Sequence, residues 1–183
     1  MRVIAGRLRG RTLVAPAGRR TRPTADRVRE SLFNLLGPVP EGAIVLDLFA
    51  GSGALGIEAL SRGAGHATFV EDQADALRAL RENLASLGLS EASVVRRADA
   101  SGERAFTGGP FDLIFADPPY SRGLSTSVVH GATHALSPGG RFALEHAAGE
   151  AAPAPPETLA VWKSRRYGGT QVTLYRRTEE VDS

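Results

Sequence analysis

Asp117-Pro118-Pro119-Tyr120 is the stretch of this chain whose residue types point most directly to chemistry. It follows an apolar run, Phe111-Asp112-Leu113-Ile114-Phe115-Ala116, that reads as a strand. Proline fixes φ at about −65° and has no amide hydrogen, so two in succession remove donors from the turn. What remains is a group of acceptors: the Asp117 carboxylate and the neighbouring carbonyls, that of Pro118 in particular. An exocyclic amine on a base or an amide is a poor nucleophile because its lone pair is delocalised. Acceptors that take both N–H bonds rotate or pyramidalise the nitrogen and aim the restored lone pair at an electrophile. Asp117 can also take the proton released from the alkylated amine, and Tyr120 can stack on a base turned out of its helix. Taken alone, the same four residues would also make a rigid strand exit with a core tyrosine.

A second group lies upstream. Asp47-Leu48-Phe49-Ala50-Gly51-Ser52-Gly53 marks the hand-over from a strand to a helix, and its glycines let backbone approach a ligand closely. Glu71 stands 20 residues beyond Gly51 at the tip of the next predicted strand, where a carboxylate can accept from both ribose hydroxyls of an adenosine-type cofactor. Asp99, with Ala100 beside it, ends the following strand and can reach an adenine amino group. Gly51, Gly53 and Gly56 also fit the letters of a dinucleotide loop. Asp47, however, would repel a diphosphate. It suits a cation, and S-adenosylmethionine carries both a sulfonium and an ammonium. An ordinary α/β turn with surface carboxylates is the plain alternative.

The elements around these groups alternate. Ile44–Phe49, Ala67–Glu71, Ser93–Arg97, Phe111–Ala116 and Arg141–Glu145 read as strands; residues 54–62, 74–87 and 124–136 read as helices, the second with an inner stripe of Ala76, Leu77, Leu80, Leu84 and Leu87. Repeated βα units predict right-handed crossovers and a parallel sheet covered on both faces. Before them, Val3-Ile4-Ala5 and Thr12-Leu13-Val14 suggest a hairpin, and residues 25–36 an amphipathic helix with Thr24 as N-cap. After them, Val161–Arg165 and Gln171–Tyr175 suggest a closing hairpin turned at Gly168-Gly169, joined by a Pro/Ala-rich stretch over 147–157. Residues 1–40 are thus expected to form a basic extension and 41–178 the catalytic domain.

Composition narrows the possibilities. A chain of 183 residues with 42 % apolar and 23 % charged side chains can bury a full core, and no run approaches the ~20 apolar residues of a membrane span. The start lacks a signal-type apolar stretch, so a cytoplasmic protein acting as a monomer, away from membranes, is expected. Cysteine is absent, which excludes thiolate metal sites and the cysteine-dependent route to C5-methylated pyrimidines. Net charge is only +2, yet residues 1–30 hold nine arginines against Asp26 and Glu30. That crowding predicts contact with a polyanion through Arg2, Arg7, Arg9, Arg11, Arg19, Arg20 and Arg22. His130 and His134 lie four apart on a helix without the glutamate of a metalloprotease motif, and no metal is expected. Trp162, the single tryptophan, reads as a packing residue.

Three blocks together resemble a known family. They are Arg22-Pro23-Thr24-x-Asp26-Arg27-Val28-Arg29-Glu30-x-Leu32-Phe33-Asn34, the run from Asp47 through Gly56 to Ala64, and Asp117-Pro118-Pro119-Tyr120. With Tyr167-Gly168-x-Thr170 and Tyr175 near the end, they are similar to the RsmD family of bacterial 16S ribosomal RNA guanine-N2 methyltransferases. The resemblance covers about residues 2–177. It implies a class I methyltransferase, an α/β Rossmann-like fold with a seven-stranded, mostly parallel sheet, using S-adenosylmethionine on a guanine of small-subunit rRNA. By matching positions, Asp117 to Tyr120 hold the guanine amine, while Asp47, Phe49, residues 50–53 and Glu71 hold the donor. Thr24 and Arg27 are placed to approach its methionine end. DNA adenine-N6 or cytosine-N4 methylation shares the acceptor chemistry but usually needs an added recognition domain. A protein glutamine methyltransferase or a non-catalytic RNA-binding module accounts for less of the pattern.

Overall fold

The computed structural model describes residues 1–16, 23–119 and 124–178, with the side chains of 23–25 outside that description. In chain order the elements are α1 (Pro23–Leu36), β1 (Ile44–Leu48), α2 (Ala54–Ser61), β2 (His66–Glu71), α3 (Ala74–Ser86), β3 (Ser93–Arg97), a short 3-10 turn (Glu103–Phe106), β4 (Phe111–Ala116), α4 (Ser125–Ala135), β5 (Leu136–Ala147), β6 (Leu159–Tyr167) and β7 (Thr170–Arg177). The seven strands form one sheet in the order β3-β2-β1-β4-β5-β7-β6. Strands β1 to β5 pair in parallel, and β7 runs antiparallel between β5 and β6.

The central strands are largely apolar, as a sheet covered on both faces requires. On one face Val45, Phe69, Leu113 and Phe115 pack with α1, α2 and α3; on the other Leu46, Leu48, Ile114 and Phe142 pack with α4. Phe33 of α1 meets Phe115 with ring centroids 5.5 Å apart. Basic side chains from the sheet close the C-terminal end of α1, where carbonyls lack helical partners. Arg141 donates to Leu36 and Pro38 carbonyls at 2.8 and 3.1 Å, and Lys163 Nζ to Leu35 at 2.9 Å. The Pro/Ala-rich connection covers β7 on the α4 side, where the Tyr175 hydroxyl donates to the Pro153 carbonyl at 3.0 Å. Burial pushes that phenol up to about 12.

Three expectations change. Helix α1 begins at Pro23, so Thr24 lies inside its first turn instead of capping it; proline's fixed φ suits a first helical position. Strand β5 starts at Leu136, with Ser137-Pro138-Gly139-Gly140 accommodated by a shift in register against β4. Trp162 is 38 % exposed on edge strand β6 and does not pack in the core. The expected N-terminal hairpin is present but short: Arg2 bridges Thr12, with Leu13 N–H to Met1 O, Val3 N–H to Arg11 O and Gly10 N–H to Val3 O at 2.9 Å each.

Glu58 anchors that hairpin to the domain. Its carboxylate, 0 % exposed in the middle of α2, accepts from the amides of Ile4 and Ala5 at 2.8 and 3.0 Å and from Arg62 Nε at 2.8 Å. Arg29 stands 4.0 Å away and donates to the Arg2 carbonyl at 2.5 Å. Burial lowers the pKa of its guanidinium. Ser61 Oγ takes the Leu8 amide, and Asn83 brackets Val14 with bonds of 2.8 and 3.0 Å. Val3 and Leu13 join the main apolar cluster. Removing a buried carboxylate that holds two amides and a guanidinium costs about 3 kcal/mol or more. Glu58→Ala is accordingly expected to lower stability by about that amount in urea melts and to open residues 1–16 to limited proteolysis.

Candidate active site

The strand order reverses between β1 and β4, and at such a switch point the carboxyl ends of two adjacent strands open a crevice. The loop after β1 lines one side and the turn after β4 the other. Phe49, a non-glycine residue, is held at φ 57°, and the loop is closed by Ala50 N–H to Val70 O at 3.1 Å and Gly53 N–H to Ala50 O at 2.7 Å. Left-handed backbone at a non-glycine residue is strain that the surroundings must enforce. Gly53 sits at φ 82°, and a Cβ there would come within 2.4 Å of Leu80 Cδ1. At Gly56 a Cβ would lie 2.4 Å from Phe69 Cε1, so only glycine lets α2 start this close to β2. Asn83 Nδ2 holds the Ser52 carbonyl at 3.0 Å. Asn83 belongs to no motif in the sequence; its one signal there is a polar residue between Leu80 and Leu84 on the inner stripe.

Acidic groups dominate the crevice. Asp47 is 1 % exposed and its Oδ2 accepts the Gly56 amide at 2.9 Å. Burial is the main cause that raises its carboxyl from 3.8 to about 8; the Gly56 bond opposes this, and the neighbouring charges of Asp117 and Glu71 add to it. Glu71 orders the loop itself, accepting Gly51 N–H on Oε2 at 2.8 Å and Asp72 and Gln73 N–H on Oε1 at 2.9 Å each. Oε2 thus holds one amide and keeps acceptor capacity for a ribose hydroxyl. Asp99 Oδ1 takes the Ser101 amide and hydroxyl at 2.9 and 2.7 Å, while Ala100 is buried beside Leu48 and Val70. Beyond β4, Asp117 is exposed, Pro118 buried and Pro119 exposed.

The remaining expected residues are dispersed. Tyr120, Arg19, Arg20 and Arg22 lie outside the described residues, as does the Thr24 side chain. Arg27 is exposed on α1. Arg2, Arg7, Arg9 and Arg11 are exposed, with Arg11 donating to the Ser86 carbonyl at 3.2 Å. His130 and His134 are exposed on α4.

A strained loop on a buried carboxyl that lacks an ion pair among the described residues suits a cationic ligand and disfavours a diphosphate. A model for a family described as conserved hypothetical protein 95 matches residues 1–176. YlbH of Bacillus subtilis is 41 % identical over 186 residues, spanning 97 % of this chain and 99 % of its own. Ribosomal RNA small subunit methyltransferase D of Escherichia coli is 47 % identical over 130 residues, 71 % of this chain and 65 % of that relative. The chain belongs to the RsmD family. The solved structure of YhhF from Escherichia coli superimposes with a TM-score of 0.87 at 35 % identity, over 98 % of this chain and 99 % of that one. The protein is a methyltransferase of class I fold that uses S-adenosylmethionine. Asp47, residues 49–53, Glu71 and Asp99 are the groups that fit this cofactor.

Folding raises the Asp47 pKa, so its contribution to stability is complete below about pH 4 and is lost as pH rises through about 8. Asp47→Asn retains an acceptor for Gly56. It should equal the parent near pH 4 and gain on it by up to about 1.4 kcal/mol per pH unit towards pH 8, read from urea melts across pH. Glu71→Ala removes the anchor of three amides and the carboxylate expected to accept from the ribose. Calorimetric titration should show the cofactor dissociation constant raised about tenfold or more.

Proposed function

We propose that the protein transfers the methyl group of S-adenosylmethionine to the exocyclic N2 amine of a guanine in 16S rRNA of the small ribosomal subunit, acting as a cytoplasmic monomer. In this reading residues 1–40 are the RNA-binding extension and 41–178 the methyltransferase unit. The observation that carries it is the Asp117-Pro118-Pro119 turn, which leaves β4 directly across the switch point from Asp47 and the strained loop.

When bound, the cofactor supplies a methyl group on a positively charged sulfur. The chain's part is to prepare the amine. The Asp117 carboxylate and the Pro118 carbonyl accept its two N–H bonds, which takes the nitrogen lone pair out of conjugation with the ring. Buried Pro118 keeps the turn from relaxing, because its φ is fixed and Ala116, two residues before it, is locked in the sheet. Tyr120 stacks on the extruded base. Asp117 then receives the proton of the methylated amine. Holding amine and donor at one end of adjacent strands supplies much of the acceleration by removing the entropy of encounter.

The rRNA assignment is supported by the name of the Escherichia coli relative and by the nine arginines of residues 1–30. No helix among the described residues is long and apolar enough to cross a membrane. DNA amino-methylation would use the same turn, and the relatives' names favour RNA over it.

Purified small subunits from a strain lacking the gene, incubated with the protein and labelled cofactor, should acquire one N2-methylguanosine that nucleoside mass mapping locates. Label on adenine, cytosine or protein would replace this reading. Asp117→Ala should lower the rate about a hundredfold or more while cofactor affinity stays within about twofold. A variant that turns over like the parent would remove the acceptor role.

A further inference from the structure

The basic segment expected to meet RNA is held partly away from the crevice. The Arg7 amide donates to the Ser61 carbonyl at 2.8 Å, and Ser61 ends α2, eight residues or about 12 Å along the helix from Gly53. A different surface lies level with the acceptor turn. In the sheet rows, Ala116 pairs with Leu144, Leu144 with Thr173, and Thr173 with Ser164. Arg165 and Arg166 therefore occupy the next two rows, those towards which Asp117 and Pro118 continue. Three strand spacings separate β6 from β4, about 14 Å.

Between Thr158 and Thr178 the chain carries Lys163, Arg165, Arg166, Arg176 and Arg177 and no acidic residue. Residues 31–157, in contrast, hold eight arginines against fifteen acidic side chains, so the hairpin is a basic island beside an acidic body. Its only aromatic residue that is largely open is Trp162, 38 % exposed, next to Val161 at 49 %. The register of β6 shifts between Val161 and Lys163, leaving Trp162 as the extra residue of a bulge, a device that re-aims a side chain. Lys163 Nζ lies 3.9 Å from the indole centroid while donating to Leu35 O, so one ammonium fixes the ring against the end of α1.

Charges on an edge strand also discourage pairing with another sheet. That role explains Lys163 and the arginines but not an exposed tryptophan and valine, which favour association. A fixed aromatic plane among cations of a single sign is the composition of a stacking platform for single-stranded nucleic acid.

We propose that the β6–β7 hairpin is a second RNA-docking surface: Trp162 stacks on a base of the single-stranded segment flanking the target, and Arg165 and Arg166 hold its phosphates. The proposal rests on the rRNA reading for its substrate class. Because Trp162 is the only tryptophan, intrinsic emission reports on it alone. Titrating the full-length protein with a mixed-sequence single-stranded RNA of about a dozen nucleotides should quench that emission. Trp162→Ala should weaken binding about tenfold and Trp162→Phe less. Replacing Arg165 and Arg166 together by Gln should reduce the log–log salt slope by about 1.4, two phosphates on a single strand. Unchanged cofactor affinity in each variant confirms an intact fold.

Unmoved emission, together with parent-like RNA binding by both variants, overturns the proposal. So does parent-like binding of naked RNA with loss of binding only to the assembled subunit, because the surface then meets protein. Hairpin-dependent RNA binding by a protein that leaves rRNA unmethylated supports the surface and removes only the substrate reading.

Discussion

The bond from the Gly56 amide to the buried Asp47 carboxyl is the contact on which the site depends. It joins the end of β1 to the first turn of α2 across the loop that carries Phe49 at positive φ. The geometry is possible only because Gly56 has no side chain to collide with Phe69. A charge held this deeply, with Asp117 and Glu71 close by, is disfavoured until something positive arrives, which is why burial lifts the carboxyl to about 8. The folded protein thus holds a buried acid and a left-handed backbone turn at the strand ends to which the proposed function assigns the sulfonium cofactor.

The N-terminal residues are part of the same construction. Ile4 and Ala5 give their amides to Glu58 instead of to a partner strand, and Asn83 links Val14 to the Ser52 carbonyl in the cofactor loop. One side-chain amide therefore connects the basic segment with the site. Arg29, buried against Glu58 and the Arg2 carbonyl, ties α1 into this network as well. Polar groups buried this way hold a specific arrangement because each loses more by being unpaired than it gains by pairing.

The far edge of the sheet follows a different logic. Strands β5, β7 and β6 extend the platform beyond the crevice, and their basic side chains close the carbonyl end of α1 from below. The last strand has little covering it, which leaves its aromatic and cationic residues to the surroundings. The crevice is acidic and its flanks basic, a division that under the proposed function separates a cationic cofactor at the strand ends from a polyanion at the rim.

Much of this was legible in the chain itself. Apolar runs located the seven strands and a 3.6-residue period the four helices, and glycine and proline marked their ends. Asp47, Glu71 and Asp117 stood out because carboxylates at strand tips have few structural uses. Departures fall where local rules are overridden: Pro23 rather than Thr24 opens α1, a bulge draws Ser137 to Gly140 into β5, and Trp162 lies open on the edge strand. The order of residues determined which groups exist, their chemical class and the alternation that forces a covered parallel sheet. Only the tertiary structure decided that Glu71 must first bind three amides, that Asp47 is sealed from water, and that Trp162 faces outward. Each of those depends on partners brought together by packing across the sheet, and separation along the chain carries no record of them.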